Sequence, residues 1–270
     1  MDAILGYWQE MGVDGFRVDM AHMVPMHYWK WQTKRCRDRD ADVFFMAEAY
    51  DDDPSKLVDG NVLDALIDSG FDAVYDDPSY DTIKHAVEGE KWANDIDGAA
   101  NVFSPRFHKS LRYAENHDEV RLASKQNWTG AGMEIGRPVS AILFGLGRGP
   151  IMLYNGQEVG EKADGTEGFS GDDGRSSIFD YWSLPSLTRW VNDHQYDGAR
   201  LTKAQKDLRG YYRRLLKVCA EPAFTRGDFY GLNHANKDNE QYGRFSGEAV
   251  SGRWLYCYLR RDSKSGQAFL

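Results

Sequence analysis

Three acidic positions in this 270-residue chain stand where side-chain chemistry can be done. The segment D-G-F-R-V-D-M-A-H, residues 14–22, sets Arg17 and Asp19 two places apart. In an extended strand, successive side chains point to opposite faces. Gly15, Arg17 and Asp19 therefore share one face, while Phe16 and Val18 share the other and can pack on helices. The run V-F-F-M-A-E-A, residues 43–49, is apolar until Glu48. The run E-N-H-D, residues 115–118, supplies Asp118 and the imidazole of His117. A carboxyl set among Phe44, Met46 and Ala47 finds ionisation unfavourable, which suits a general acid. A carboxylate beside Arg17 stays ionised, which suits a nucleophile. One of each is the equipment of retaining glycoside hydrolysis, with carboxyl groups typically about 5 to 5.5 Å apart. Taken singly, each residue also has a plainer reading. Arg17 and Asp19 fit a structural ion pair, Glu48 a satisfied core carboxyl, Asp118 a helix cap and His117 a hydrogen-bonded core histidine.

These residues need a scaffold that ends its strands on one rim. Apolar spacing predicts a helix in residues 1–11, with Ile4, Leu5, Trp8 and Met11 on one face and Gly12 stopping it. Residues 13–19 predict a strand. Pro25 opens a helix to about Arg37, because proline is tolerated in a first turn. Residues 43–49 predict a strand buried on both faces. Residues 62–67 and 71–75 read as strands or short connecting pieces. Asp77 and Pro78 begin a helix that ends near Gly89. Residues 111–116 read as a weak strand, residues 137–147 as an apolar helix, and P-I-M-L-Y at 150–154 as a buried strand. The loop at 155–174 is long, rich in Gly and Asp, and reads as a solvated lid or rim. Thr202 and Gln205 form a capping box for a helix to about Cys219. After Pro222 come short aromatic alternations, such as R-W-L-Y-C-Y-L at 253–259, that predict antiparallel strands. Strands alternating with helices predict a parallel sheet. The three acids then fall at carboxyl ends of strands, where parallel barrels and open sheets place their sites.

Composition narrows the partners. Lys and Arg number 33 against 42 Asp and Glu, a net charge of -9. Phosphate neutralisation needs clustered cations, so an acidic chain without a basic stripe predicts no nucleic-acid partner. The cluster Lys34, Arg35, Arg37 and Arg39 is interrupted by acids and reads as the solvated face of a helix. No apolar run is long enough to cross a membrane, so no membrane partner is expected. The three cysteines are far apart and lack a C-x-x-C pair, which supports neither a zinc site nor a disulfide framework. The eight Trp and fifteen Tyr are mostly core, although aromatic faces also suit sugar rings.

G-F-R-V-D-M-A-H at 15–22, F-M-A-E-A at 45–49 and E-N-H-D at 115–118 resemble, in order and spacing, three motifs of the α-amylase family of glycoside hydrolases. I-M-L-Y-N-G-Q-E at 151–158 resembles the segment on that family's last barrel strand. The resemblance implies a partial (β/α)8 TIM barrel, about strands four to eight, over residues 1–221. It implies the start of an antiparallel C-terminal β-domain over residues 222–270. It implies Asp19 as the nucleophile, Glu48 as the acid/base and Asp118 as the group that binds sugar hydroxyls and stabilises the transition state. Arg17 would hold Asp19, and His117 would hydrogen-bond the sugar at the cleavage point. The third and fourth positions after the nucleophile, often Lys-His in the family, are His22 and Met23 here; they contact the leaving-side sugar, so His22 bears on substrate preference. The expected activity is retaining hydrolysis of α-glucosidic bonds in starch-like glucans or maltooligosaccharides. Transfer to a sugar acceptor and carbohydrate binding without turnover are the alternatives. No cofactor is implied; the family often binds structural calcium, through regions outside this chain. The strand carrying Asp19 is the family's fourth of eight, so the chain reads as an internal fragment of a larger enzyme.

Overall fold

The computed structural model describes residues 1–50, 62–164, 173–178 and 183–270. They form two compact units. The first comprises Met1–Pro78, Asn101–Leu111 and Gly147–Pro150, the second Ser79–Ala100, Arg112–Leu146 and Ile151–Leu270.

The first unit opens with α1 (Asp2–Glu10), β1 (Gly15–Val18), α2 (Met26–Arg39), β2 (Phe44–Ala47), α3 (Val62–Asp68) and β3 (Ala73–Tyr75). The three strands are parallel neighbours, with Arg17 opposite Met46 and Ala47 opposite Val74. Val74 and Tyr75 pair in turn with Ser110 and Leu111, the first half of β4 (Ser110–Tyr113). Trp29, Phe45, Leu63, Leu66 and Phe71 make the core, and Phe16 and Val18 pack against it. The alternation read from the sequence therefore holds: one face of β1 is core. Gly15 is required by β1's close neighbour, since a Cβ there would stand 2.6 Å from the carbonyl oxygen of Phe44.

Three local readings need correction. Val62–Asp68 is a helix and not a strand. Its buried residues Val62, Leu63 and Leu66 fall at i, i+1 and i+4, one helical face. On α1, Leu5 packs against the core as read, but Ile4, Trp8 and Met11 are about half or more exposed. The helix instead turns Asp2, Gly6 and Gln9 toward α2. Asp2 takes Arg35 and Arg39, the Gln9 amide donates to the Cys36 carbonyl, and a Cβ on Gly6 would stand 3.6 Å from the Arg39 guanidinium. The basic cluster is accordingly not merely solvated, and Arg37 also pairs with Asp72. Those ion pairs orient α1 because three spaced residues, at i, i+4 and i+7, present one stripe.

In the second unit, Arg112 and Tyr113 of β4 pair in parallel with β5 (Ile151–Met152), which is shorter than the predicted strand. The strand order is β1-β2-β3-β4-β5. The helix Lys203–Cys219 begins with the predicted capping box between Thr202 and Gln205. It packs through Tyr212, whose hydroxyl lies 2.9 Å from that of Ser140 on the helix Gly136–Gly145. β6 (Asp228–Gly231), β7 (Tyr258–Arg261) and β8 (Ala268–Phe269) make a separate antiparallel sheet. Arg260 of β7 is fully buried and donates to the carbonyls of Ala223, Phe224 and Gly145. No helix among the described residues is long and apolar enough to cross a membrane. Of the predicted rim at 155–174, residues 165–172 lie outside the described residues.

Candidate functional site

The pairing of β1 with β2 continues past both strand ends. The Glu48 N–H donates to the Val18 carbonyl at 2.9 Å, and the Ala21 N–H donates to the Glu48 carbonyl at 2.8 Å. Asp19 and Glu48 are thereby fixed at the carboxyl ends of adjacent strands. Between them Met20 adopts a left-handed backbone, φ 46° and ψ 43°. That turn aims the Met20 N–H at Glu48 Oε2, 3.0 Å away.

Glu48 has a side chain only 3% exposed. A buried carboxylate needs charge and hydrogen-bond partners. Besides Met20, the Tyr50 hydroxyl donates to Oε1 at 2.9 Å. Arg17 Nη2 stands 2.9 Å from the same oxygen, at ion-pair distance but without hydrogen-bond alignment. The sequence placed Glu48 among apolar neighbours; the register adds Arg17 from β1. The other guanidinium nitrogen, Nη1, donates to Asp19 Oδ1 at 2.5 Å. The Asp19 side chain is 71% exposed. One guanidinium thus serves two unlike carboxyls, one enclosed and one open to solvent. Burial works against the charge of Arg17, but hydrogen bonds to Tyr75 and Asp19 and the fields of Tyr75 and Glu48 outweigh it, so its pKa is raised. The Arg17 guanidinium carbon also sits 5.6 Å from the centre of the Tyr75 ring, at the end of β3. His22 meets the Tyr50 ring edge-on at 6.1 Å, and its buried Nδ1 has no hydrogen-bond partner among the described residues.

The second unit carries the E-N-H-D segment. Glu115 and Arg121 form a fully buried ion pair at 2.8 Å. Glu115 also accepts from the Leu122 N–H, and Arg121 donates to the Asn155 carbonyl and lies 4.2 Å from the centre of the Tyr154 ring. Burial pushes the Glu115 carboxyl up, against the pull of Arg121 and the Leu122 N–H. Asn116 Oδ1 accepts from the N–H groups of Asp118 and Glu119, at 2.8 and 2.9 Å, which folds the backbone into a tight turn. That turn presents His117 and Asp118, paired at 3.0 Å between Nε2 and Oδ2. Both are part exposed. The structure therefore joins Arg17, Asp19 and Glu48 directly and joins His117 to Asp118. Among the described residues His22 touches the first group through the Tyr50 ring.

Sequence reasoning missed Tyr75, Arg121 and the Met20 backbone, and left Tyr50 undecided. Tyr50 could have been found, since it lies two residues beyond Glu48 and so on the same side of an extended chain. Arg121 and Tyr75 carried no such local signal, because their partners lie on other turns and strands. Among the described residues no cluster of three His, Cys, Asp or Glu side chains has a metal-holding arrangement.

The geometry can be compared with known proteins. A family profile described as "Alpha amylase, catalytic domain" matches residues 1–175. Alpha-amylase MalA of Haloarcula japonica is 31% identical over 166 residues, 60% of this chain and 22% of that protein. Alpha-amylase 2 of Dictyoglomus thermophilum is 25% identical over 234 residues, 83% of this chain and 36% of that protein. The chain thus spans well under half the length of these relatives. Among solved structures, an alpha-amylase from Lactobacillus plantarum overlays with a TM-score of 0.62 at 18% identity, covering 97% of this chain and 52% of the other. Identity at that level speaks to fold alone, and the fold shared is the parallel strand–helix succession of a (β/α)8 barrel followed by an antiparallel sheet. With 175 of its 270 residues matched by the catalytic-domain profile, the chain belongs to the alpha-amylase family.

Proposed function

We propose that the protein cleaves α-glucosidic bonds of starch-like glucans or maltooligosaccharides with retention of configuration. The observation that carries this reading is the Arg17 bridge between an exposed Asp19 and an enclosed Glu48. Exposure lets Asp19 reach a sugar, and the Arg17 guanidinium pairs with it and holds it in place, as suits a nucleophile. Attack by Asp19 on the anomeric carbon would form a glycosyl-enzyme while Glu48, having first taken a proton from solvent, passes it to the departing oxygen. Water would then enter with Glu48 acting as base, returning the proton and freeing Asp19. Asp118 is assigned to sugar hydroxyls and transition-state charge, and His117 to a sugar hydrogen bond, by their match to the family's N-H-D pattern. His22 is assigned to the leaving-side sugar. Residues 1–221 are assigned to the barrel and residues 222–270 to the β-domain.

A sugar hydroxyl can replace water in the second step. A 4-alpha-glucanotransferase of Thermotoga neapolitana is among the relatives, 29% identical over 60% of this chain. Product analysis separates the two outcomes: transfer lengthens oligosaccharides, whereas hydrolysis only shortens them.

The test is release of reducing ends from soluble starch by the full-length gene product and its Glu48→Gln and Asp19→Asn variants. Loss of a general acid/base lowers the rate by about 10² or more. Unchanged turnover in Glu48→Gln would refute the mechanism. Release of the β-anomer first, an axial-to-equatorial inversion at C1 seen by proton NMR, would refute retention.

A further inference from the structure

We propose that the buried pair Glu115 and Arg121 positions Asp118 for turnover, which rests on the transition-state role proposed for Asp118. The two residues stand six apart, at either end of the turn that presents His117 and Asp118. Their side chains are 1% and 0% exposed, whereas that of Asp118 is 39% exposed. The pair closes the turn twice. Arg121 Nη1 donates to Glu115 Oε2 at 2.8 Å, and the Leu122 N–H donates to Oε1 at 2.7 Å. Inside that clasp, Asn116 Oδ1 holds the N–H groups of Asp118 and Glu119. The backbone on both sides of Asp118 is thus tied to buried side chains.

Arg121 also anchors the clasp outside the turn. Its Nε donates to Ser176 Oγ at 2.8 Å, its Nη1 also to the Asn155 carbonyl at 2.9 Å, and its N–H to the Gly174 carbonyl at 2.7 Å. Its guanidinium carbon lies 4.2 Å from the centre of the Tyr154 ring. Tyr154 and Asn155 follow β5, which pairs with β4. Arg121 therefore fixes the turn after β4 against the segment after β5.

A buried ion pair is a poor way to stabilise a fold, because desolvation offsets much of its attraction. A planar guanidinium supplies direction instead. Its donors point at Glu115, Asn155 and Ser176 at once, in a fixed fork that a single ammonium cannot reproduce. Direction matters at a reacting centre, where a shift of about 1 Å can cost about 10² in rate. Glu115 and Arg121 are positioning residues: they act through Asp118, and no bond is made or broken at either.

The test uses the full-length gene product carrying Arg121→Lys, Asp118→Asn or both, each checked for folding by thermal melting. Arg121→Lys should lower kcat on soluble starch about 10- to 100-fold, with KM within about twofold. In the Asp118→Asn background the same change should lower kcat by no more than about twofold, since residues that act as a unit are not additive. Hydrogen exchange followed by mass spectrometry should quicken about tenfold in the peptide spanning 115–122 and stay unchanged in the helix Lys203–Cys219. If Arg121→Lys does not fold, Ser176→Ala replaces it; loss of the single partner of Nε should lower kcat about threefold. Unchanged kcat in the folded variant overturns the proposal. A loss that multiplies with that of Asp118→Asn also overturns it, because Arg121 would then act independently of Asp118. A rise in KM alone does the same, placing the pair in ground-state binding. Unchanged turnover in Asp118→Asn would remove the role of Asp118, and this proposal with it, while leaving Asp19 and Glu48 in place. A wild-type product that hydrolyses no starch would refute the proposed activity; quicker exchange at 115–122 in Arg121→Lys would still uphold the clasp, and unchanged exchange would overturn it.

Discussion

Replacing Arg17 with Ala separates its two contacts energetically. The Asp19 arm is short, 2.5 Å, but Asp19 is 71% exposed. Solvent screening and lost side-chain freedom leave such an arm about 0–1 kcal/mol. The Glu48 arm is buried, with the carboxyl 3% exposed at 2.9 Å. Unit charges at that distance attract by about 6 kcal/mol at an effective dielectric of 20. Desolvation of both groups offsets much of this, and removing one partner of a buried pair costs about 3–5 kcal/mol. Tyr50 and the Met20 N–H still hold Glu48, which places Arg17→Ala near the lower end, about 3 kcal/mol in all. In a Glu48→Gln background no buried charge is stranded, and the same change should cost about 1 kcal/mol or less. The double-mutant cycle therefore predicts about 2 kcal/mol of coupling. Urea unfolding of the four proteins, followed by tryptophan fluorescence, measures it. A coupling below about 0.5 kcal/mol, within ordinary additivity, would refute the claim that Arg17 acts chiefly on Glu48.

Three further outcomes are expected. Tyr50→Phe removes the hydroxyl that donates to Glu48 Oε1, so starch turnover in the full-length product should fall about tenfold with KM little changed, a share of the acid/base contribution; steady-state kinetics decides. Gly15→Ala forces a Cβ against the Phe44 carbonyl, and overpacking against backbone should lower stability by about 1–3 kcal/mol in a urea titration. Asp2 is held down to about 2, first by Arg39 and then by Arg35 and Gln32 against some burial. Its folded value lies below its unfolded one, so its contribution is complete above the unfolded value and fades as pH falls toward about 2. Asp2→Asn should therefore be less stable than the parent at pH 7 and indistinguishable from it near pH 2, as thermal melts at both pH values would show.

How much was legible depends on how far apart the interacting residues lie. The alternation in G-F-R-V-D assigned Phe16 and Val18 to the core and Arg17 and Asp19 to the other face, because a strand's period of two is a local property. The capping box at Thr202 and Gln205 was equally local, closed within one helical turn. Val62–Asp68 was misread because a short apolar run suits either element, and the choice depends on what its apolar side chains pack against. The face of α1 was read correctly only at Leu5, for a related reason. Its hydrophobic spacing pointed one way, and ion pairs from Arg35 and Arg39 turned it another.

The sequence alone nominated the residues proposed to carry the chemistry, since Asp19, Glu48 and Asp118 sit in short motifs whose order survives without coordinates. It also determined that the three would fall after strands. Only the tertiary structure decided how Glu48 is held. That Arg17 stands opposite Met46, and so next to Glu48, is a fact of strand register between segments 29 residues apart, which no local pattern encodes. The burial of Glu115 against Arg121, and the anchoring of Arg121 on Asn155 and Ser176, are likewise made by chain crossings. Propensity and alternation act over a few residues, whereas partners for buried charge are supplied by whichever segment the fold brings alongside.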